Sequence, residues 1–405
     1  MGTRRILRSA ALMSAMLLWH STAHAGGKIA LDDTKWISLG VGVRSSFTAT
    51  QDAAPSSSDW SNDFNLDNAR IYINGQVHEY IKFELNTECA FCGNSALQEF
   101  IILDGIIKLE LASYFNFWGG RMLVPAERQE MNGPFYSTTY QAYKTPFFPA
   151  DFSTHYGVGG AGIYERDNGF NVWGAIGPES KPGAFQYVGG AFTGLQSASG
   201  TGPNQDDHML VGARFAYNFL EVEKNPGYYT SGSYFGTAGD ILTLGLALQF
   251  QEDGAGTFEH SSNFFGLATD LLWEMPTESV GTFTFNGEYK YFDAPYSELA
   301  FTDNDPNGFL MFDGNAFSVT GLYLIPQEVG IGKFQPYLRY SGTYPDDSAD
   351  RDEFEVGLNY VIDGFNARAS LFYQYGDLAT LGLNYAPTAS GSDVSSVGIG
   401  IQLQI

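Results

Sequence analysis

Cysteine is almost absent from this chain of 405 residues, which holds only Cys89 and Cys92. A metal site would need more ligands than these two thiols. Their close spacing reads instead as a short-loop disulfide formed in an oxidising compartment. Gly93 stands where covalent haem attachment needs histidine, which argues against a c-type haem. Charge is scarce too, at 16% of residues, and basic side chains number 21 against 45 acidic, for a formal net charge of −24. That balance makes nucleic acid a poor partner. Beyond its first residues the chain also lacks any uninterrupted apolar run of the roughly 20 residues that a membrane helix requires.

What is plentiful is glycine, with 48 residues, and aromatic side chains, at 15%. Both are favoured by strands of membrane barrels. The last eleven residues, Ser395–Ile405, place Val397, Ile399, Ile401, Leu403 and Ile405 on one side and Ser396, Gly398, Gly400, Gln402 and Gln404 on the other. Period-two alternation sends successive side chains to opposite faces, so this is a strand with one oily face. At the other end, Arg4, Arg5 and Arg8 precede an apolar stretch from Ala10 to Trp19, and Ala23-His24-Ala25 supplies a cleavage site. Residues 1–25 read as a secretory signal, and 26–405 as a single outer-membrane β-barrel of a Gram-negative cell.

The same alternation recurs along the chain. Ile37, Leu39, Val41 and Val43 oppose Ser38, Gly40, Gly42 and Arg44, while Ile81, Phe83 and Leu85 oppose Lys82, Glu84 and Asn86. A Lys-Glu-Asn face opposite an Ile-Phe-Leu face predicts lipid outside and a wet lumen inside. Counting such segments yields sixteen strands. The expected fold is all-β, a transmembrane antiparallel up-and-down β-barrel of about 16 strands, with short turns at the periplasmic end and long loops outside. Two places resist: the connection 220–239 is long where a short turn is wanted, and Leu378 to Tyr385 reads as a weak extra strand, which keeps eighteen as an alternative. Trp36, Trp118, Tyr217, Trp273, Tyr291, Tyr340, Tyr360 and Tyr375 lie near strand ends and are candidates for interfacial girdles.

The stretch Asn65-Leu66-Asp67-Asn68-Ala69-Arg70-Ile71-Tyr72-Ile73-Asn74-Gly75, followed by Leu103-Asp104-Gly105 and Gly119-Gly120-Arg121-Met122-Leu123-Val124-Pro125, resembles the phosphate-selective porin O and P family over about residues 65–127. The resemblance implies a sixteen-stranded trimeric barrel that passes small solutes. The chain departs from the family at Asn68 and Ala69, where a second basic residue is common, and at Ala126, where phenylalanine follows the proline. Its acidity also contrasts with basic phosphate pores, so phosphate selectivity is not expected to come with the fold.

Residues 128–154 form the longest insertion and include Phe135, Tyr136, Tyr140, Tyr143, Phe147, Phe148 and Phe152. A loop so aromatic needs burial, and a sixteen-stranded barrel is too wide to be filled by wall side chains. An inward-folded constriction loop is expected, the alternative being an outward lid or a subunit contact. Candidate wall cations are Arg44, Arg70, Lys82, Lys108, Arg121, Arg214, Lys290, Arg339 and Arg368, and candidate anions are Glu84, Asp104, Glu110, Asp270, Glu288 and Glu355. Arg121, Arg128 and Lys144 are the expected residues of the narrow zone; for each, a structural ion pair is an equally good reading.

Three function classes follow. The first is a porin for passive diffusion of small hydrophilic solutes, embedded in outer-membrane lipid as a homotrimer and needing no cofactor. The second, a barrel enzyme, is disfavoured because His78, His155, His208 and His260 show no catalytic spacing. The third is a scaffold sheathing a periplasmic partner such as a cytochrome. Loop acids, among them Asp303, Asp305, Asp346, Asp347, Asp350, Asp352 and Glu353, read as solubilising groups or as carboxylates sharing divalent cations with lipopolysaccharide.

Overall fold

The computed structural model describes residues 27–90, 99–147, 165–177, 183–277, 279–299, 311–382 and 385–405. The signal expected at 1–25, Cys92, residues 148–154, His155, Asp303 and Asp305 lie outside the described residues.

Among the described residues, eighteen strands form one antiparallel sheet. They are β1 (Gly27–Ala30), β2 (Trp36–Thr50), β3 (Ser61–His78), β4 (Ile81–Ala90), β5 (Glu99–Ala112), β6 (Phe115–Leu123), β7 (Arg166–Ile176), β8 (Ala184–Phe192), β9 (Leu210–Asn218), β10 (Ile241–Gly256), β11 (Ser261–Thr277), β12 (Gly281–Asp293), β13 (Gly314–Leu324), β14 (Glu328–Val329), β15 (Gly332–Pro345), β16 (Arg351–Asp363), β17 (Ala367–Gly376) and β18 (Val394–Gln404). β1 and β14 have 4 and 2 residues, too few to cross a bilayer. The other sixteen are neighbours in chain order, and β18 pairs with β2 from Ser396↔Thr50 to Gln404↔Gly42. The sheet therefore closes on itself. Closure leaves no unpaired edge, the condition a β-structure must meet in hydrocarbon.

Alternation sets which side is which. Along β18, Ile399, Ile401 and Leu403 are about half exposed, whereas Gln402 is fully buried. A row of leucine and isoleucine outside and glutamine inside is the inverse of a water-soluble sheet. Ile405 continues the seam past β18, exchanging both backbone hydrogen bonds with Val41 at 2.9 and 3.0 Å.

Three expectations change. Leu378–Leu381 is a short helix rather than a strand; Leu378 and Leu381 are both buried, and a spacing of three puts them on one helical face. Trp118 does not face lipid. Phe117 takes the outward position, so its neighbour turns inward and is fully buried. Glu353 is not a solvated loop acid, because β16 begins at Arg351 and points it into the barrel beside Lys144.

Candidate functional site

The lumen is occupied by two connections that enter from opposite ends. Residues 124–147 descend from the end remote from the termini and carry α1 (Arg128–Asn132) and a 3-10 turn at Pro134–Tyr136. Glu127 caps α1, accepting from the Glu130 backbone N–H at 3.1 Å. The connection 219–240, anomalous in length by sequence, rises from the end that carries the termini. The two meet where the Gly232 N–H donates to the Tyr136 carbonyl at 2.9 Å and the Thr230 hydroxyl to the Arg128 carbonyl at 2.7 Å.

The first connection is held differently on its two sides. Toward β6–β13 it rests on an apolar inner wall: Val124, Ala126 and Met131 join Trp118, Met122, Val188, Ala247, Phe264 and Ala268 in one buried cluster. A buried connection needs an oily seat, and those wall positions supply it. Toward β2 and β15–β18 the contact is polar. Arg368 donates to the carbonyls of Ser137 (2.9 Å) and Thr138 (3.1 Å), Arg339 to that of Gln141 (2.6 Å), Arg44 to that of Tyr140, and Gln402 to that of Phe135 (2.8 Å). Because irregular backbone leaves carbonyls unpaired, a wall of arginines is a natural partner for it.

Glycine makes the fit on this side. A Cβ at Gly42 would lie 2.8 Å from the Phe135 ring, and one at Gly400 would collide with Tyr140. The small inward face of β18 and β2 thus forms the groove that receives both rings. Tyr140 also donates to Asp67 at 2.6 Å and lies 4.3 Å beneath the Arg44 guanidinium.

The candidate wall cations and anions, with Arg128 and Lys144, lie within the barrel, and most are engaged in ion pairs. Arg70 pairs with Glu88, Lys108 with Glu84, Lys82 with Glu110 (2.5 Å), Arg214 with Asp270, and Arg339 with Glu355. Asp104 takes Arg166 at 3.0 Å. Arg128 makes two bonds to Glu223, at 2.6 and 2.7 Å, and lies 3.3 Å from Asp270; Lys144 reaches Glu353 at 2.8 Å. Arg128 and Lys144 therefore tie the inward segment to β11 and β16. Arg121 remains on the β6 wall, donating to the carbonyls of Ile102 and Arg166. Cys89 is disulfide-bonded.

Sequence reasoning missed Glu88, Arg166, Glu223 and Glu274. Glu88 continues the inward row of Lys82, Glu84 and Asn86, so longer counting finds it. Glu274, fully buried on β11, accepts from the Ser233 and Thr284 hydroxyls (2.8 and 2.9 Å) and from the N–H groups of Tyr234 and Gly236 (3.0 and 2.8 Å). It fastens the 219–240 connection. Glu274→Ala is expected to remove these charge-assisted bonds, each worth about 1.5–3 kcal/mol, and to render residues 226–237 cleavable by protease in the otherwise folded barrel. Resistance equal to that of the parent would contradict this role.

A carboxylate group surrounds Lys290, whose Nζ lies 2.7 Å from Glu130 and 3.0 Å from Glu127. Burial, then the neighbouring Glu127, pushes Glu130 well above the usual carboxylate range. Glu165 is pushed up as well, by burial and Glu127 against the opposing pull of Arg166. Groups with raised folded values bind protons more tightly folded than unfolded, so the stability they bring is present at low pH and fades as pH rises through those values. Thermal unfolding is expected to shift to lower temperature from mildly acidic toward alkaline pH, and Glu130→Gln to flatten that slope.

No family model matches the chain, and no curated protein matches its sequence. Solved structures do. The anion-selective porin from Comamonas acidovorans is 15% identical, with a TM-score of 0.57 over 92% of this chain and 100% of that one. OmpF of Salmonella typhi, in complex with daunomycin, is 11% identical with a TM-score of 0.56 over 93% and 100%. The outer membrane channel DcaP of Acinetobacter baumannii is 13% identical with a TM-score of 0.54 over 94% and 100%. The chain has the fold of the outer-membrane porins, a closed barrel of sixteen antiparallel strands with two short additional ones.

Proposed function

We propose that the protein is a homotrimeric outer-membrane porin, exported through the periplasm, that passes small hydrophilic solutes by diffusion along a lumen narrowed by residues 128–147. The observation that carries this reading is the inward segment itself, tied by Arg128, Lys144 and the Arg44–Arg339–Arg368 wall to strands all around a barrel whose exterior is apolar. With the termini at the periplasmic end, the 219–240 connection is a periplasmic constriction stacked beneath it. Two segments of the chain already inside the barrel count against a sheath for a cytochrome or other partner.

Phosphate selectivity is not proposed. Arg70, at the centre of the family resemblance, is neutralised by Glu88, and most inward cations have carboxylate partners. Paired charges leave little net field in the passage, so weak ion preference is the expectation. Purified protein in a planar bilayer is expected to give discrete conductance steps, with a small reversal potential in a salt gradient. Silence under several salts would refute the channel; strong anion preference relieved by phosphate would refute the assignment of charge.

A further inference from the structure

Away from the lumen, at the rim remote from the termini, the connection between β8 and β9 meets the end of β10. There Asp206, His208 and Asp253 each place a ligand atom within 4.8 Å of the other two. The His208 Nε2 is 3.6 Å from Asp253 Oδ2, and its Nδ1 is 3.7 Å from Glu252 Oε2. Both separations exceed a hydrogen bond. An imidazole nitrogen and the carboxylate oxygens beside it are together a donor set for a divalent cation.

The surrounding bonds hold the donors in place. The His208 N–H donates to Asn204 Oδ1 at 2.7 Å, and its carbonyl accepts from Asn204 at 3.0 Å and from the buried Gln251 at 2.7 Å. Asp253 uses Oδ1 to accept from the Ser261 hydroxyl at 3.0 Å and its N–H to donate to Asn263 at 3.1 Å, which leaves Oδ2 for His208. The ladder of β10 with β11 shifts register between Gln251 and Ala255, and this releases Glu252 and Asp253 from regular pairing. These bonds fix the backbone that carries His208 and one oxygen of Asp253, and so hold the two donors near each other.

We propose that Asp206, His208 and Asp253 form a binding site for a first-row divalent cation of the zinc type, with Glu252 within reach as a further carboxylate and water completing the shell. One imidazole favours such ions over calcium or magnesium, which take oxygen alone. Zinc bonds to nitrogen and oxygen run about 2.0–2.2 Å, so small side-chain rotations close the present spacing around one ion. Bound metal would clamp the β8–β9 connection to β10 at the outer rim, and this holds whether or not the barrel conducts.

The test is calorimetric titration of the full chain, folded in detergent and free of any histidine tag, with zinc chloride. One site is expected, weakened at least about tenfold in His208→Ala and likewise in Asp253→Asn, the scale of loss that follows damage to a metal site. Binding should also weaken at acidic pH, because protons compete with the metal for its ligands. If His208→Ala fails to fold, Asp206→Asn, in the exposed part of the connection, replaces it. Absence of a saturable heat, zinc affinity equal in parent and variants, or calcium bound as tightly and without regard to His208 would each overturn the site.

Discussion

Arg128→Ala is expected to unseat the inward segment and to lower barrel stability more than any other single change to a lumenal cation. Its guanidinium serves Glu223 through two bonds, Asp270 at 3.3 Å and the Ser231 carbonyl at 2.9 Å, all of them buried. Breaking a buried ion pair from one side costs about 3–5 kcal/mol, because the abandoned carboxylates stay desolvated. Arg128 also joins the two lumenal connections, so its loss frees both. In the proposed channel the readout is a larger and noisier unit conductance, with a lower unfolding temperature. The variant Glu223→Gln, which keeps a hydrogen-bonding partner, should show a smaller version of both changes. Unaltered conductance in Arg128→Ala would mean that the segment is held without it.

Gly400→Leu is the second large effect expected. Any side chain at this position runs into the Tyr140 ring, and overpacking of this kind typically costs 1–3 kcal/mol, occasionally more. The ring cannot retreat without losing its bond to Asp67 and its place under Arg44, which in turn carries the Tyr140 carbonyl. Altered conductance with lowered stability should follow. Combining Gly400→Leu with Tyr140→Ala should restore much of the loss, since the collision is then removed; a purely additive double variant would refute the seat.

The wall was legible in the sequence and the contents of the lumen were less so, for a physical reason. A strand between lipid and lumen must alternate, so Ile399, Ile401 and Leu403 announce their surroundings, and the sixteen crossing segments appear one by one. Trp118 misled because an aromatic next to Phe117 looks equally at home at a membrane interface; only the register of its strand decides. The inward segment was marked by its aromatic residues, of which Phe135, Tyr140 and Phe147 are buried while Tyr136 is exposed. Nothing marked 219–240 beyond its length, because irregular backbone has no period, and the partners that hold it, Glu274 and Arg128, lie far away in sequence. Likewise Glu223 shows no pattern until Arg128 is seen opposite it. The charged wall positions could be read as inward, while their pairing required the lateral register that only a closed sheet fixes.

The groove formed by Gly42 and Gly400 has a consequence for assembly. It spans the junction of the first and last crossing strands, so it exists only after the cylinder has been sealed, yet its occupants, Phe135 and Tyr140, come from the middle of the chain. Sealing the wall is therefore the condition for seating those rings: a half-zipped intermediate has no berth for them, and a seated ring pins the seam from within, so opening the seam releases both.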